Sequence, residues 1–154
     1  MPLIWTEGNL LDSQAQGLVN PVNCVGVPGA GLARQFRERW PVQVNEYVAF
    51  CRAGKMKPGM VHDALLPGGR RILSIATKRH WRDDSLLADV DLGLAALAEY
   101  LNTTGLISVA LPALGCGLGG LPKALVAERV EFWLGTNFSV VYAYGLKEPE
   151  GAKG

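Results

Sequence analysis

Two glycine-rich loops, placed alike, constrain this chain more than any other feature. The first is Asn20-Pro21-Val22-Asn23-Cys24-Val25-Gly26-Val27-Pro28-Gly29-Ala30-Gly31, and the second is Gly115-Cys116-Gly117-Leu118-Gly119-Gly120. Each follows a short apolar run and precedes a helical pattern. A strand-to-helix turn of this kind brings backbone N–H groups close to a phosphate, and the helix N-terminus adds positive dipole. Two such loops in one small domain point to a diphosphate held from two sides. The asparagines ahead of the first loop supply polar contacts suited to a sugar. The bland alternative is a pair of tight turns with no ligand.

The pattern between the loops alternates strand and helix. Leu3-Ile4-Trp5 and Gly17-Leu18-Val19-Asn20 read as strands. Leu32, Phe36 and Trp40 recur every four residues, so Gly31 to Trp40 reads as an amphipathic helix stopped by Pro41. Val42 to Cys51 reads as a second, weaker helix. Met60–Leu66 and Arg71–Ala76 flank the turn Pro67-Gly68-Gly69 and read as a hairpin. Ser85 starts the next helix, with Asp83 and Asp84 at its positive end and a stripe of Leu86, Val90, Leu94, Leu97 and Leu101. Ile107–Leu111 is a continuous apolar strand of the kind found at a sheet centre. Pro122 marks the first residue of the last helix and Gly135 its end. Phe138–Tyr144 is the last strand. The expected fold class is α/β, with a mixed, largely parallel sheet in one domain over 1–145 and a polar tail over 146–154.

At 154 residues and 49% hydrophobic the chain is one globular domain, and its net charge of +1 says nothing about partners. Arg34, Arg37 and Arg39 share one helix, and Lys78, Arg79, His80 and Arg82 form a basic cluster. Either can be an ordinary solvated face. Met1 is followed at once by Pro2 and a strand-like run, which is no signal peptide. No apolar stretch approaches the ~20 residues needed to span a membrane. Cys24, Cys51 and Cys116 are odd in number and unpaired in spacing, which fits a reducing cytoplasm. His62 and His80 offer no metal-ligand spacing, so neither a metal nor a cofactor is expected. Gly115, Gly117 and Gly120 match GxGxxG, but too little chain follows for a dinucleotide-binding unit, and the acid such a unit needs is missing. No P-loop motif is present.

The motifs Gly8-Asn9-Leu10, Val19-Asn20-Pro21-Val22-Asn23 and Leu111-Pro112-Ala113-Leu114-Gly115-Cys116-Gly117, in this order, resemble a macrodomain. The resemblance covers about residues 1 to 145. It implies a three-layer α/β/α fold that binds ADP-ribose. More narrowly, Thr77-Lys78-Arg79-His80-Trp81-Arg82 and Gly115-Cys116-Gly117-Leu118-Gly119-Gly120-Leu121 resemble the DarG type, antitoxins that remove ADP-ribose from single-stranded DNA. The terminal ADP-ribose protein glycohydrolase branch is similar at the lysine and the second loop. The resemblance implies a cognate ADP-ribosyltransferase toxin as partner, and a monomer is expected.

By position, the resemblance puts Asn9 and Leu10 at the adenine end, where many macrodomains carry Asp in place of Asn9. It puts Asn23 on the distal ribose with Asn20 supporting the loop. Gly26, Gly29, Ala30, Gly31 and Leu32 would line one side of the ligand. Leu114, Gly115, Cys116, Gly117, Leu118 and Gly119 would line the other, with Thr77 beside the lysine. Tyr144 flanks the adenine or is a strand-edge aromatic. Arg79, His80 and Arg82 would meet DNA.

Lys78 and Asn23 are the expected catalytic residues. A lysine amine attacks an anomeric carbon only when neutral, and burial or neighbouring cations favour that state; Arg79 and Arg82 are the candidate cations. Alternatively Lys78 pairs with DNA phosphate or solvent. The protein-directed relatives carry an Asp after the GCGL run, where this chain has Gly119. Pro28 stiffens the first loop. A DNA glycohydrolase, a binding-only reader and a protein ADP-ribosyl glycohydrolase all remain open. So does a hydrolase using Cys116, set beside a helix N-terminus.

Overall fold

The computed structural model describes residues 3–151; Met1, Pro2 and the end of the tail, 152–154, lie outside the described residues. Six strands form one sheet: β1 (Leu3–Thr6), β2 (Gly17–Asn23), β3 (Val61–Leu65), β4 (Arg71–Lys78), β5 (Ser108–Leu111) and β6 (Val140–Tyr144). Four helices accompany them: α1 (Gly31–Arg39), α2 (Pro41–Arg52), α3 (Leu87–Thr104) and α4 (Lys123–Leu134). The strand order is β1-β6-β5-β2-β4-β3. All pairings are parallel except β3 with β4, the hairpin.

Period-2 alternation in the central strands builds two cores. Leu18, Val22, Ile72 and Ala76 pack with Phe36, Val44 and Tyr47 of α1 and α2. Val19, Leu73 and Ile75 point to the other face and pack with Val90, Leu94, Val126 and Val130 of α3 and α4. The result is the three-layer α/β/α sandwich. Leu146 is fully buried in the second core, so packing runs one residue past the expected boundary at 145.

Four boundaries differ from the sequence reading. β2 runs on to Asn23, so Asn20 to Asn23 are strand and not loop. Pro41 does not merely stop α1: it is the first residue of α2, where its missing N–H costs nothing. Pro122 precedes α4 as its cap. Ser85 is not helical. Its N–H donates to the Gly119 carbonyl at 3.0 Å, which holds it extended, and α3 begins at Leu87 with Asp89 in the first turn. Leu86 is accordingly exposed and outside the apolar stripe.

Gly93 fixes the approach of α3 to the sheet. A Cβ there would lie 2.5 Å from the Ile75 Cγ2 atom. Gly93→Val is expected to destabilise the fold by about 1–3 kcal/mol through overpacking, read as a lower urea midpoint with an unchanged m-value.

Candidate functional site

Strand order brings the two loops together. β2 lies between β5 and β4, all three parallel. The first loop leaves the carboxyl end of β2 and the second leaves that of β5. Lys78 ends β4 on the other side. Ligand sites on open α/β sheets gather at such carboxyl ends. A register shift between Val22 and Asn23 sets Asn23 opposite Lys78, skipping Thr77. The Lys78 carbonyl accepts from the Cys24 N–H at 3.1 Å, locking the pairing. The expected catalytic pair is therefore a pair of cross-strand neighbours at a bulge, a device that re-aims side chains.

A cavity of about 620 Å³ opens between the loops, within the range of small-molecule sites. From the first loop and α1 it is lined by Asn23, Gly29, Ala30, Gly31 and Leu32. Gly115, Gly117, Leu118 and Gly119 line it from the second loop, and Thr77 and Lys78 from β4. No side chain caps the N-terminus of α1 at Ala30. Its first N–H groups, which have no partner within the helix, are left for an anion in the cavity. The two loops nearly meet over the cleft: a Cβ at Gly31 would stand 3.7 Å from the Leu118 Cδ1 atom.

Asn23 organises the first loop. Its Oδ1 accepts from the N–H groups of Val25, Gly26 and Val27 at 3.1, 3.0 and 3.2 Å, and its Nδ2 donates to the Val27 carbonyl at 2.9 Å. One amide hydrogen is left for a ligand. Tyr47 of α2 also lines the cavity and donates its hydroxyl to the Asn23 carbonyl at 2.6 Å. Burial pushes the Tyr47 hydroxyl far above the ordinary phenol range, so it stays a donor.

Several expected ligand contacts lie away from this cavity. Asn20 is fully buried inside β2, opposite Ser74, and neither of its amide atoms has a hydrogen-bond partner. It does not hold the loop. Gly26 packs on α2, where a Cβ would meet the Cys51 Cβ at 3.0 Å. Leu114 and Leu10 are core residues on opposite faces of the sheet. The Asn9 side chain accepts from the Leu11 N–H at 3.0 Å, capping a short 3-10 turn. Tyr144 packs against the core on the α1/α2 side.

Cys116 does not line the cavity either. Its thiol donates to the Leu114 carbonyl at 3.7 Å, and burial pushes it up, with Lys123 only partly opposing. α4 starts seven residues further on, so no helix N-terminus stabilises a thiolate there. The geometry removes the nucleophilic reading of Cys116.

The basic cluster divides. Arg79 donates to both carboxylate oxygens of Asp89, at 3.1 and 3.2 Å, and Asp89 is only 2% exposed. That pair ties the 79–86 loop to α3 and engages one of the two cations, Arg79 and Arg82, expected to act on Lys78. The Arg82 guanidinium stacks 4.6 Å from the Trp81 ring centroid, and the Arg82 backbone N–H donates to the His80 Nδ1 atom at 3.1 Å. The Lys78 Nζ donates to the Trp81 carbonyl at 3.4 Å.

Ser85 was read as a helix cap and instead lines the cavity, buried, with an unpartnered hydroxyl. It explains Gly119. A Cβ at that position would stand 2.1 Å from the Ser85 Oγ and 2.5 Å from the Gly115 carbonyl oxygen. Tyr47, Trp81, Pro112 and Ala113 also line the cavity. Trp81 carried a signal in the sequence through its place inside the basic motif, and Pro112 and Ala113 through theirs in the run before the second loop. Tyr47 looks like a core residue in one dimension.

The family model for the Macro domain matches residues 19–130. A DNA ADP-ribosyl glycohydrolase of Mycobacterium tuberculosis (strain ATCC 25618 / H37Rv) is 39% identical over 131 residues, which cover 83% of this chain and 37% of that protein. A DNA ADP-ribosyl transferase-DNA ADP-ribosyl glycohydrolase fusion protein of Thermosipho africanus (strain H17ap60334) is 34% identical over 145 residues, covering 80% and 37%. Among solved structures, the macrodomain of Mycobacterium tuberculosis DarG superposes with a TM-score of 0.89 at 34% identity, covering 92% of this chain and 96% of that one. The chain thus spans little more than a third of the length of the curated relatives it matches. The family model over residues 19–130, the relative 39% identical over 83% of the chain and the DarG macrodomain fold together show that this chain belongs to the macrodomain family.

Proposed function

We propose that this chain releases ADP-ribose from ADP-ribosylated single-stranded DNA, countering a cognate ADP-ribosyltransferase toxin. One observation carries the reading: a cleft walled by the uncapped α1 N-terminus and the second glycine loop has Lys78 and Asn23 side by side at its edge. The backbone N–H groups of α1 and the second loop suit the diphosphate. That leaves the distal ribose toward Lys78. The names of the two relatives support the substrate class, and the fusion protein supports a transferase partner.

In this reading the nitrogen lone pair of the Lys78 amine attacks C1 of the distal ribose. The bond from C1 to the DNA base breaks, and the base leaves with the electron pair and takes up a proton. The C1–ring oxygen bond of the resulting glycosylamine then opens, the oxygen taking up the remaining amine proton, to give an imine; water adds to that imine, the C1–nitrogen bond breaks, and the amine and ADP-ribose are released. Among the described residues no helix is long and apolar enough to cross a membrane, and all three cysteines are free. We therefore place the protein in the cytoplasm.

Incubation with ADP-ribosylated single-stranded DNA is expected to release ADP-ribose. Its kcat/KM should fall as salt rises, because phosphate contacts release counterions. Arg82→Ala is expected to lower the salt slope by about one. Tight binding of free ADP-ribose with no release from modified DNA would leave only a reader; no binding of ADP-ribose would end the reading altogether.

A further inference from the structure

The 79–86 loop presents three planar groups together at the Lys78 end of the cavity. The His80 and Trp81 ring centroids are 5.3 Å apart at an interplanar angle of 31°. The Arg82 guanidinium lies 4.6 Å from the Trp81 centroid. Trp81 itself lines the cavity and yet is 45% exposed. An indole left that open forgoes much of the burial that usually places tryptophan inside. Its position is nevertheless built. The Arg79–Asp89 pair anchors the loop to α3, and the Trp81 carbonyl accepts from the Lys78 amine. The open aromatic surface therefore stands beside the amine expected to do the chemistry.

We propose that Trp81, backed by Arg82, is a stacking platform for the nucleobase next to the modified one. The inference rests on the DNA reading above and names how the strand leaves the cleft. Any base can stack on an aromatic ring, so the contact needs no sequence. Arg82 supplies positive charge for the flanking phosphates. In a duplex the neighbouring base is paired and stacked within the helix, so it is not free to lie on the indole. The platform selects single strands for that reason. An acidic peptide would satisfy Arg82 but would bring no planar group to the indole.

The test compares kcat/KM on an ADP-ribosylated single-stranded oligonucleotide with that on the same modified nucleoside freed by nuclease. The wild type is expected to prefer the oligonucleotide. Trp81→Ala is expected to cut kcat/KM on the oligonucleotide roughly tenfold to a hundredfold, chiefly through KM, and to cut it less on the nucleoside, so that the preference collapses. Trp81→Phe, which keeps a ring, retains most of the preference. Equal losses on both substrates would make Trp81 a cavity wall only, and a wild type with no preference would also overturn the platform. An ADP-ribosylated peptide cleaved with the same dependence on Trp81 would assign the rim to proteins instead. If the wild type cleaves neither DNA substrate, the DNA reading itself fails and takes this inference with it.

Discussion

Lys78→Ala is expected to lose at least about a hundredfold in kcat on ADP-ribosylated DNA and to keep its ADP-ribose binding. The split follows from position. Lys78 ends β4 at the edge of the cleft, whereas the groups suited to the diphosphate are backbone N–H groups of α1 and the second loop. A hundredfold loss is about 2.7 kcal/mol of barrier, more than a surface contact supplies. Lys78→Arg is expected to be nearly as inactive, since guanidinium stays protonated and is no nucleophile. Borohydride added during turnover is expected to trap ADP-ribose on the protein at Lys78. Calorimetry and single-turnover release check the two halves. A fully active Lys78→Ala variant would remove the amine from the chemistry and shift it to water positioned by Asn23.

Gly117→Leu is expected to abolish ADP-ribose binding while leaving the thermal midpoint nearly unchanged. Gly117 lines the cavity, nothing lies within 4 Å of a Cβ built there, and its φ is not in the left-handed region. The side chain therefore enters open space without straining the loop and takes volume from the ligand. Gly119→Asp, two residues on, is expected to behave differently. Its Cβ would collide with Ser85 Oγ and the Gly115 carbonyl, so the loop must rearrange. Both the midpoint and ADP-ribose binding fall. Adding the acid that the protein-directed relatives carry is thus not a simple restoration here. Ser85→Gly beside Gly119→Asp should recover only part of the loss, because the backbone clash with Gly115 stays. Isothermal titration with ADP-ribose, read beside thermal melts, separates a filled cavity from a broken loop.

Much of this protein is determined by residues near one another in sequence. Apolar runs of period two and four mark the strands and helices, and the hairpin turn shows in Gly68-Gly69. The glycine loops and the lysine that ends β4 are visible for the same local reason. What the chain does not declare is who stands beside whom. That β5 pairs with β2, and not with a strand closer in sequence, is what brings residues 23–31 to residues 115–119. Such pairing depends on layer packing between segments some 90 residues apart (Gly17 opposite Val109). The same holds for side chains whose local reading was wrong. Ser85 has the sequence of a helix cap, but the Gly119 carbonyl takes its N–H. Arg79 has the sequence of a free cation, but Asp89, ten residues on and buried, claims it from α3. Asn20 stands at the expected junction of strand and loop, but β2 pairing runs on to Asn23 and buries it opposite Ser74. Sequence determined the elements and the chemistry they carry, because propensity and periodicity are local; tertiary structure alone decided which of those groups share the cleft, because long-range burial and steric fit outweigh local preference.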